Sequence, residues 1–524
     1  MAHQSKPSLM RIRMRSHQRS SVNKEMNALK KKKTPIWKNP VFYLSILMVV
    51  VVAFLFFQIV KLNLLPNTLV GIIGVVLLIF IVLTILFGLV LGRSRKGFRI
   101  FGIILSIVLI GTSCFGSYYL MNANGALDRI ASDSNYDRHT IQLYAVKHSS
   151  LNSEKDLNGQ TIGILKNSQR TYVNKVIKQL KADKDIKFTT KTYDSSVELV
   201  NDFLGQKIDC MMIDASNLSV MEEMDGRQDI RSEIKSIYKY TYYVKKADTS
   251  STADVTSDAF TVLISGSDSR GSINETSRSD VDMLVTVNPK THVVLMTSIP
   301  RDYYVETTCE ASMGCGNGEK DKLTHTGLHG IDTTEMTIEK FMDMDINYHV
   351  KVGFSTLSNL VDELGGITVN NPQSFSTGNY SFQQGTIELN GEQALAFARE
   401  RYSFTEGDKE RGRNQMRVLT GILNKVMSPS ILKNYQGIMN TLADSFQTNM
   451  DTDDISALVK EQLSSQASWK IYTTSLDGTT GTAYCYELGD NASVVFPDDN
   501  SISEAKTNIQ AVEHGEDPPY ASQS

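Results

Sequence analysis

Residues 260–302 carry the sequence FTVLISGSDSRGSINETSRSDVDMLVTVNPKTHVVLMTSIPRD, in which three apolar runs alternate with polar segments. The runs, at 260–264, 281–287 and 291–298, are short, rich in Val, Leu and Thr, and bounded by turn-forming residues. Runs of this kind are typical of strands buried on both faces, which occur in sheets covered by helices. The stretch therefore predicts the central strands of an α/β domain.

Charged residues stand at the ends of these three strands. Asp268 follows the first strand, Arg278 and Asp280 precede the second, and Arg301 and Asp302 follow the third. Because α/β sheets usually place their sites at strand ends, these five side chains are candidates for one site.

Further charged residues follow along the chain. Lys322 and His325 lie in the segment Asp-Lys-Leu-Thr-His-Thr-Gly. Asn390, with an acid in the next turn, predicts the start of a helix that ends near Arg399 and Arg401. These residues extend the candidate site beyond the first three strands.

A second helical pattern begins near residue 408. Arg411 and Gln415 are four residues apart and therefore share one helix face. Arg413 and Arg417 share another face. Only one of these two pairs can point into a common site.

The residue types in this set favour phosphate chemistry. Arginines from separate elements suit a diphosphate, because each guanidinium can bind phosphate oxygens with two hydrogen bonds. Asp268 and Asp280 are hard oxygen ligands suited to Mg²⁺, and Mg²⁺ beside arginines fits phosphoryl transfer. Any single Arg or Asp is more often a surface ion pair, and a lone His325 is usually a hydrogen-bonded structural residue. The combination, rather than any one residue, predicts the site.

Seven ordered motifs across roughly 260–512 resemble the LytR-CpsA-Psr family. They are Ile264-Ser-Gly-Ser-Asp268-Ser-Arg270, Arg278-Ser-Asp280, Ser298-Ile-Pro-Arg301-Asp302, Lys322-Leu-Thr-His325, Glu363-Leu-Gly-Gly-Ile-Thr-Val369, Ala398-Arg399-Glu-Arg401, and Asp408 through Arg411 with Arg413 and Gln415. The resemblance implies a domain at 260–512 with a central mixed sheet flanked by helices. It also implies a glycopolymer phosphotransferase that moves a polymer with its phosphate from a polyprenyl-diphosphate carrier to a peptidoglycan sugar hydroxyl.

The resemblance further assigns roles to individual residues. Asp268 and Asp280 would hold Mg²⁺, and either Asp268 or Asp302 would activate the acceptor hydroxyl. The pyrophosphate head would be bound by Arg278, Arg301, Lys322, Arg399, Arg401, Arg411 and Gln415. The catalytic set would be Asp268, Arg278, Arg301, Asp302, Arg399 and Arg411. Helices near 330–343 and 355–364 would line an apolar channel for the polyprenyl tail, although their apolar residues equally suit an ordinary core helix.

Three apolar stretches, 41–60, 69–91 and 100–121, are each about the length needed to cross a bilayer as a helix. The tail 1–40 holds eleven Lys or Arg against one acid, and the connection 92–99 is also cationic. Cationic loops stay on the cytoplasmic side, so we expect a multi-pass anchor at 41–121 in the cell membrane. The tail would then be cytoplasmic, and everything after about residue 122 would be extracellular.

Between the anchor and the strand-rich region, 122–246 alternates strand and helix patterns in βαβαβ order, which predicts a small parallel-sheet accessory domain. It either positions a partner or polymer or serves as a spacer. The polar stretch 247–259 is interpreted as a linker, and 513–524 as a disordered tail. In the segment 305–321, Cys309 and Cys315 either form a disulfide or remain free thiols.

The combination of anchor and accessory domain resembles the capsule-associated CpsA proteins of streptococci, which implies capsular polysaccharide as the polymer. Other capsule-synthesis membrane proteins and membrane lipid would be partners. With a net charge of -3 and its cations concentrated in the tail, the body is acidic, which argues against nucleic-acid binding. Two alternatives stay open: a membrane-bound regulator of capsule or cell-wall synthesis, and a polyprenyl-diphosphate binding protein or pyrophosphatase without transfer.

Overall fold

The structure is a computed structural model that describes residues 36–131, 136–166, 170–182, 185–247, 249, 253–267, 273–428 and 435–523. The chain divides into two compact units. One contains the N-terminal helices, and the other contains residues 62–66 and 121–523. Most of the predicted basic tail, residues 1–35, lies outside the described residues.

The first unit consists of α1 (Pro40–Leu62), α2 (Asn67–Ile85) and α3 (Lys96–Ala131), with two short helical turns continuing α2 to Arg93. Among the described residues, three helices are long and apolar enough to cross a membrane. Their apolar side chains are widely exposed, including Phe57 at 60% and Phe115 at 72%, as expected of a surface that lipid covers. The predicted three-helix anchor is confirmed in length and composition.

The accessory domain contains a five-stranded sheet in the order β3-β2-β4-β1-β5. Its elements in chain order are β1 (Tyr136–Val146), β2 (Thr161–Leu165), α4 (Arg170–Ala182), β3 (Thr189–Tyr193), α5 (Ser196–Leu204), β4 (Cys210–Asp214), α6 (Asn217–Met221), α7 (Ile230–Glu233) and β5 (Ile234–Lys245). Strands β2, β3 and β4 are parallel, as predicted. The prediction of a parallel sheet is wrong for the whole, because β1 pairs antiparallel with both β4 and β5.

The centre of the second domain is a mixed seven-stranded sheet in the order β16-β11-β6-β7-β8-β17-β20. Its strands are β6 (Phe260–Ser267), β7 (Val281–Asn288), β8 (Val293–Ile299), β11 (Tyr348–Gly353), β16 (Phe446–Thr448), β17 (Lys470–Ser475) and β20 (Ser522–Gln523). β11 runs parallel to β6, and β17 runs parallel to β8. The other neighbours are antiparallel. The predicted central mixed sheet is confirmed.

Successive side chains of a strand point to opposite faces of the sheet. Because the apolar runs of β7 and β8 place apolar side chains on both faces, helices cover both. On one face, Leu284 and Leu295 pack with α9 (Ile331–Met342) and α15 (Asp499–Glu513). On the other face, Met283 and Met296 pack against α12 (Asp408–Val426). The apolar residues of α9 belong to this core, so the structure favours the ordinary-core interpretation of α9 over a lipid channel.

The remaining elements complete the domain around the sheet. They are β9 (Tyr304–Glu306), β10 (Lys320–Lys322), α8 (Leu323–Thr326), α10 (Phe354–Glu363), β12 (Ile367–Asn371), β13 (Phe375–Thr377), β14 (Tyr380–Phe382), β15 (Gly385–Leu389), α11 (Gly391–Arg399), α13 (Tyr435–Ser445), α14 (Thr452–Ser465), β18 (Gly478–Cys485) and β19 (Asp490–Pro497). Asn390 caps α11 and forms a capping box with Gln393, as its position predicted.

Two boundary predictions are corrected by the structure. The tail was expected to be disordered, but Ser522–Gln523 pairs with β17 and Lys470 Nζ lies 3.0 Å from a carboxylate oxygen of Asp517. The free edge of β17 offers unpaired backbone groups, and the tail satisfies some of them. The linker was expected to bury little, but Val255 packs at 1% exposure beside Phe260. Cys309 and Cys315 are joined in a disulfide, with Cα atoms 6.6 Å apart.

Candidate active site

The sheet topology brings the predicted strand-end residues to one edge. β6 and β7 are antiparallel, so Gly266 at the end of β6 lies opposite Val281 at the start of β7. β7 and β8 are also antiparallel, and Asp282 lies opposite Ile299 at the end of β8. Segments that flank these positions, including 278–280 and 301–302, therefore meet at a single edge of the sheet.

Arg301 lies at the centre of this edge and is surrounded by carboxylates. Its Nη1 donates a hydrogen bond of 2.6 Å to Asp280 Oδ1. Its Nε lies 3.7 Å from Asp302 and 3.9 Å from Asp408, a residue of the first turn of α12. Burial alone would lower the pKa of Arg301, but Asp302, Asp280 and other carboxylates outweigh it and raise the pKa. The guanidinium is thus fixed in its charged form.

A second group of cations meets a carboxylate from the accessory domain. Arg278 Nη1 and Lys322 Nζ both donate to the Glu223 carboxylate, Lys322 at 2.8 Å. Glu223 follows α6, so this ion-pair network joins the two domains. Backbone hydrogen bonds from Ser279 to Thr324, and from Thr324 to Arg301, hold the Lys322 segment against the strand ends. The accessory domain therefore contributes a side chain to the predicted site.

His325 is buried behind this pair of cations. Its Nδ1 lies 2.6 Å from Asp321 Oδ1, and its Nε2 lies 3.7 Å from Glu223. Burial alone would lower the pKa of His325, but Asp321 and Glu223 outweigh it and raise the pKa to about 9. His325 is a paired, cationic residue at neutral pH, which agrees with its structural interpretation.

Arg401, which follows α11, and Arg411 of α12 complete the arrangement. Arg401 and Arg411 lie 3.3 Å from opposite carboxylate oxygens of Asp408. Gln415 lines the same cavity of about 460 Å³ as Asp280, Arg301 and Arg411. We call Arg278, Arg301, Lys322, Arg401 and Arg411 the cationic cluster.

The other face of α12 points away from this cavity. Arg413 and Arg417 pair instead with Glu410, at 2.8 and 2.6 Å. Gly412 lets α12 approach the end of β8 closely, because a Cβ there would lie 2.9 Å from Ser298 Oγ. Of the two predicted helix faces, the one that carries Arg411 and Gln415 lines the cavity with Asp280 and Arg301.

Two of the predicted site residues, Arg399 and Asp268, are not part of the cationic cluster as defined above. Arg399 places its guanidinium over the ring of Phe354, 5.1 Å from the centroid, at the start of α10. A Cβ atom added at Gly266 would lie 3.9 Å from the ring of Phe354. The Phe354 ring therefore connects Arg399 to the end of β6. Asp268, the predicted metal ligand and candidate base, lies outside the described residues.

The cations of the cluster are close enough to repel one another, although each is also paired with a carboxylate. The pKa of Arg411 is lowered, first by burial and then by the neighbouring cations Arg301 and Arg401, against the opposing effect of Asp408. The five cations are nearly balanced by the carboxylates of Glu223, Asp280, Asp302 and Asp408. Such an arrangement holds cations in place while leaving them able to exchange a carboxylate partner for a phosphate oxygen.

Two acids in this region escaped the sequence analysis. Glu223 lies 55 residues from Arg278 and 99 from Lys322, and nothing local in the sequence marks it. Asp282 interrupts an otherwise apolar strand, and this signal could have drawn attention to it. Burial raises the pKa of Asp282 to about 8, and its Oδ1 accepts a hydrogen bond from Ser279 Oγ.

A separate group of buried ionisable residues lies between α9 and β11. Ligand-type atoms of Asp332, Glu335 and His349 lie within 4.8 Å of one another, and His349 Nδ1 lies 2.6 Å from Glu335. Burial raises the pKa of Asp332 to about 7. This group is distinct from the cationic cluster and was not predicted.

Comparisons with known proteins point to one family. The LytR_cpsA_psr family model matches residues 227–511. A polyisoprenyl-teichoic acid–peptidoglycan teichoic acid transferase, TagU of Bacillus licheniformis, is 36% identical over 225 residues, which are 43% of this chain and 70% of that protein. TagU of Enterococcus faecalis is 36% identical over 225 residues, covering 42% and 71%. The crystal structure of B. subtilis TagU is 31% identical, covering 49% of this chain and 96% of that chain, with a TM-score of 0.38.

Proposed function

The chain belongs to the LytR_cpsA_psr family, and from this membership and the cationic cluster we propose that it is a glycopolymer transferase acting on peptidoglycan. Relatives at 36% identity are named as transferases of teichoic acid to peptidoglycan. The proposal rests on five cations from separate elements, which converge at the ends of β6, β7 and β8. Guanidinium groups arranged in this way are suited to binding a diphosphate.

The proposed donor is a glycopolymer linked to a polyprenyl diphosphate, and the acceptor is a sugar hydroxyl of peptidoglycan. Phosphate oxygens would replace Asp408 as the shared carboxylate partner of Arg301, Arg401 and Arg411, while Arg301 keeps its hydrogen bond to Asp280. We propose capsular polysaccharide as the polymer, because the anchor and accessory domain resemble those of capsule-associated CpsA proteins. The three apolar helices would keep the site near the lipid carrier, with the tail cytoplasmic and the body outside.

The proposed reaction is a phosphoryl transfer to the acceptor hydroxyl. The oxygen of the acceptor hydroxyl forms a bond to the phosphorus atom that carries the polymer. The bridging bond from that phosphorus to oxygen breaks, and polyprenyl phosphate leaves with the electron pair. The cationic cluster stabilises the negative charge that develops on the phosphate oxygens.

Asp302 is the proposed base that takes the proton of the acceptor hydroxyl. Its Oδ1 makes no hydrogen bond within the described part of the chain, and Lys322 Nζ lies 3.5 Å away. A carboxylate held beside a cation, with an oxygen that lacks a hydrogen-bond donor, can accept a proton from a bound hydroxyl.

The carboxylate of Asp280 supports a proposal that this site binds Mg²⁺. Asp280 presents a hard carboxylate oxygen ligand and lines the cavity beside Arg301 and Arg411. Four carboxylates already offset all but one of the five cations, so a bound diphosphate would leave excess negative charge. We propose that Asp280 and Asp268 hold Mg²⁺, which supplies the additional positive charge. Asp280 Oδ1 stays oriented by its hydrogen bond from Arg301.

The test is product analysis with the full chain in detergent. It would be incubated with Mg²⁺, a peptidoglycan acceptor and a polyprenyl-diphosphate donor that carries either a capsular or a teichoic acid oligomer. Mass spectrometry would search for a phosphodiester-linked adduct. Arg301→Ala is the site variant, and Arg413→Ala is the matched control on the other face of α12.

We expect an adduct with the wild-type chain and Arg413→Ala, and a loss of at least 100-fold with Arg301→Ala, since charged groups at such sites contribute roughly 3 kcal/mol or more. Adduct formation that survives Arg301→Ala would contradict the assignment of the site. Release of sugar phosphate with no adduct would identify a pyrophosphatase instead. The donor that reacts identifies the polymer.

A further inference from the structure

A polar groove lies beside the cationic cluster, on the side of the accessory domain. Its volume is about 540 Å³, within the roughly 300–1,000 Å³ range of ligand-binding cavities. Its lining includes Arg278 and Asp280, and Asp280 also lines the cavity that contains Arg301 and Arg411. The proposed reaction centre is therefore the shared boundary of two cavities.

The floor of the groove is one face of the β1–β5 ribbon. Thr140 and Gln142 of β1 lie opposite Thr241 and Lys239 of β5, and all four line the groove. The opposite face of the same ribbon, which includes Leu143, packs in the apolar core of the accessory domain. The strand alternation thus sorts apolar side chains into the core and polar side chains into the groove.

The walls come from both domains. The segment after β4, including Ser216 and Ser219, forms one wall, and residues 275–278 before β7 form the other. The second wall is tied to the floor, because Glu275 forms a parallel β-bridge with Arg138 and the Arg138 amide donates to Asn274 at 3.3 Å. The groove is therefore a built feature of the contact between the two domains.

The lining is rich in hydroxyl groups and includes the side-chain amide of Gln142, while its charged side chains are largely paired. Arg231 lies 2.7 Å from Glu222, and Arg138 lies 3.8 Å from Glu275. Hydroxyl and amide groups both donate and accept hydrogen bonds, as sugar hydroxyls require of their partners. A polyanion would instead require several unpaired cations.

We infer that this groove binds a glycan chain and delivers it to Asp280. The inference rests on the proposed function and deepens it, because it gives the accessory domain the role of holding a saccharide substrate. The glycan is either the peptidoglycan acceptor or the polymer of the donor. Both present the sugar hydroxyls that the groove is suited to bind.

The test uses the full chain in detergent micelles, without Mg²⁺ and without turnover. Isothermal titration would measure binding of two probes, a GlcNAc–MurNAc tetrasaccharide and the free capsular oligomer. Thr241→Trp fills the floor of the groove from an exposed position. Ser236→Trp fills it from a second exposed position, and Lys245→Trp is the matched control at the exposed end of the same strand.

We expect Thr241→Trp and Ser236→Trp each to weaken binding of one probe at least 10-fold, with Lys245→Trp unchanged. The probe affected identifies the acceptor or the donor polymer as the occupant. The inference would be overturned if the groove variants and Lys245→Trp bind each probe with the same affinity. This holds both when all the variants bind as the wild type does and when all have lost binding. Groove-dependent binding without adduct formation by the wild-type chain would refute the proposed function alone. Adduct formation with binding insensitive to the groove variants would refute the groove alone.

Discussion

Replacing Glu223 with glutamine removes the only carboxylate that contacts both Arg278 and Lys322 among the ion pairs of the described residues. The change keeps the size of the side chain and deletes its charge. Arg278, Lys322 and the protonated His325 would then repel one another, because the negative charge of Glu223 that offsets their positive charges is gone. The perturbation therefore tests whether the accessory domain holds the cationic cluster together.

The expected loss follows from burial. The side chains of Glu223, Arg278 and Lys322 are 16%, 17% and 8% exposed. Breaking a buried ion pair by removing one partner costs roughly 3–5 kcal/mol, and the residual exposure of Glu223 places the expectation at the lower end, about 3 kcal/mol. The loss should be smaller above about pH 9, where His325 gives up its proton.

Urea unfolding of the full chain in detergent would measure this loss. Trp469 packs beside His292 and donates to Gln462 at 2.7 Å, so its fluorescence reports on the catalytic domain. The second tryptophan, Trp37, would be replaced by Phe throughout. Glu222→Gln is the matched control, because its Arg231 pair is more exposed and should contribute less than about 1 kcal/mol.

A loss in Glu223→Gln no greater than the loss in Glu222→Gln would contradict the anchoring role assigned to Glu223. The accessory domain would then contribute no anchoring carboxylate, and the cluster would be organised by Asp280, Asp302 and Asp408 alone.

Three further predictions concern pH, oxidation and donor binding. Raising the pH from about 4 to about 8 should lower the free energy of unfolding by about 4 kcal/mol through Asp332, because the folded state retains a proton up to about pH 7 that the unfolded chain loses near 3.8. Asp332→Asn should remove this slope, and parallel pH profiles for the two proteins would contradict the burial argument. Cys315→Ser should lower the free energy of unfolding by roughly 2 kcal/mol under oxidising conditions, from loop-closure entropy over a separation of six residues; stability equal to that of the oxidised wild type would show that the bond contributes nothing. Arg411→Ala should weaken binding of polyprenyl diphosphate by about 10-fold or more, since hydrogen bonds to charged groups contribute roughly 1.5–3 kcal/mol, whereas Arg413→Ala should bind normally. Similar affinities in these two variants, measured by lipid-dependent thermal protection, would exclude the assigned helix face.

The parts of the fold that were predictable are those encoded in local patterns. β6, β7 and β8 follow continuous apolar runs, and the charged residues at their ends converge because antiparallel neighbours share an edge. The four-residue spacing predicted that Arg411 and Gln415 share one face of α12 and that Arg413 and Arg417 share another, but it did not select between the two faces. Each of these predictions requires only the period of an element and the place where it ends.

The parts that were missed depend on contacts between distant segments. Glu223 reaches Lys322 across 99 residues, and no local pattern records that approach. Ser522–Gln523 becomes a strand only because β17 presents a free edge. The antiparallel pairing of β1 with β4 and β5 depends in the same way on tertiary packing, so the sequence predicted only the parallel part of the accessory sheet.

The fate of a single phosphorus atom distinguishes attack at phosphorus from attack at the sugar carbon. A polyprenyl-diphosphate donor would carry ³²P only in the phosphate attached to the sugar, and the label would be followed after reaction with peptidoglycan. The proposed attack at phosphorus predicts that the label moves into peptidoglycan with the polymer, and that Asp280→Asn abolishes this transfer. Label that remains with the polyprenyl product would show attack at the sugar carbon, and would contradict the proposed phosphoryl transfer.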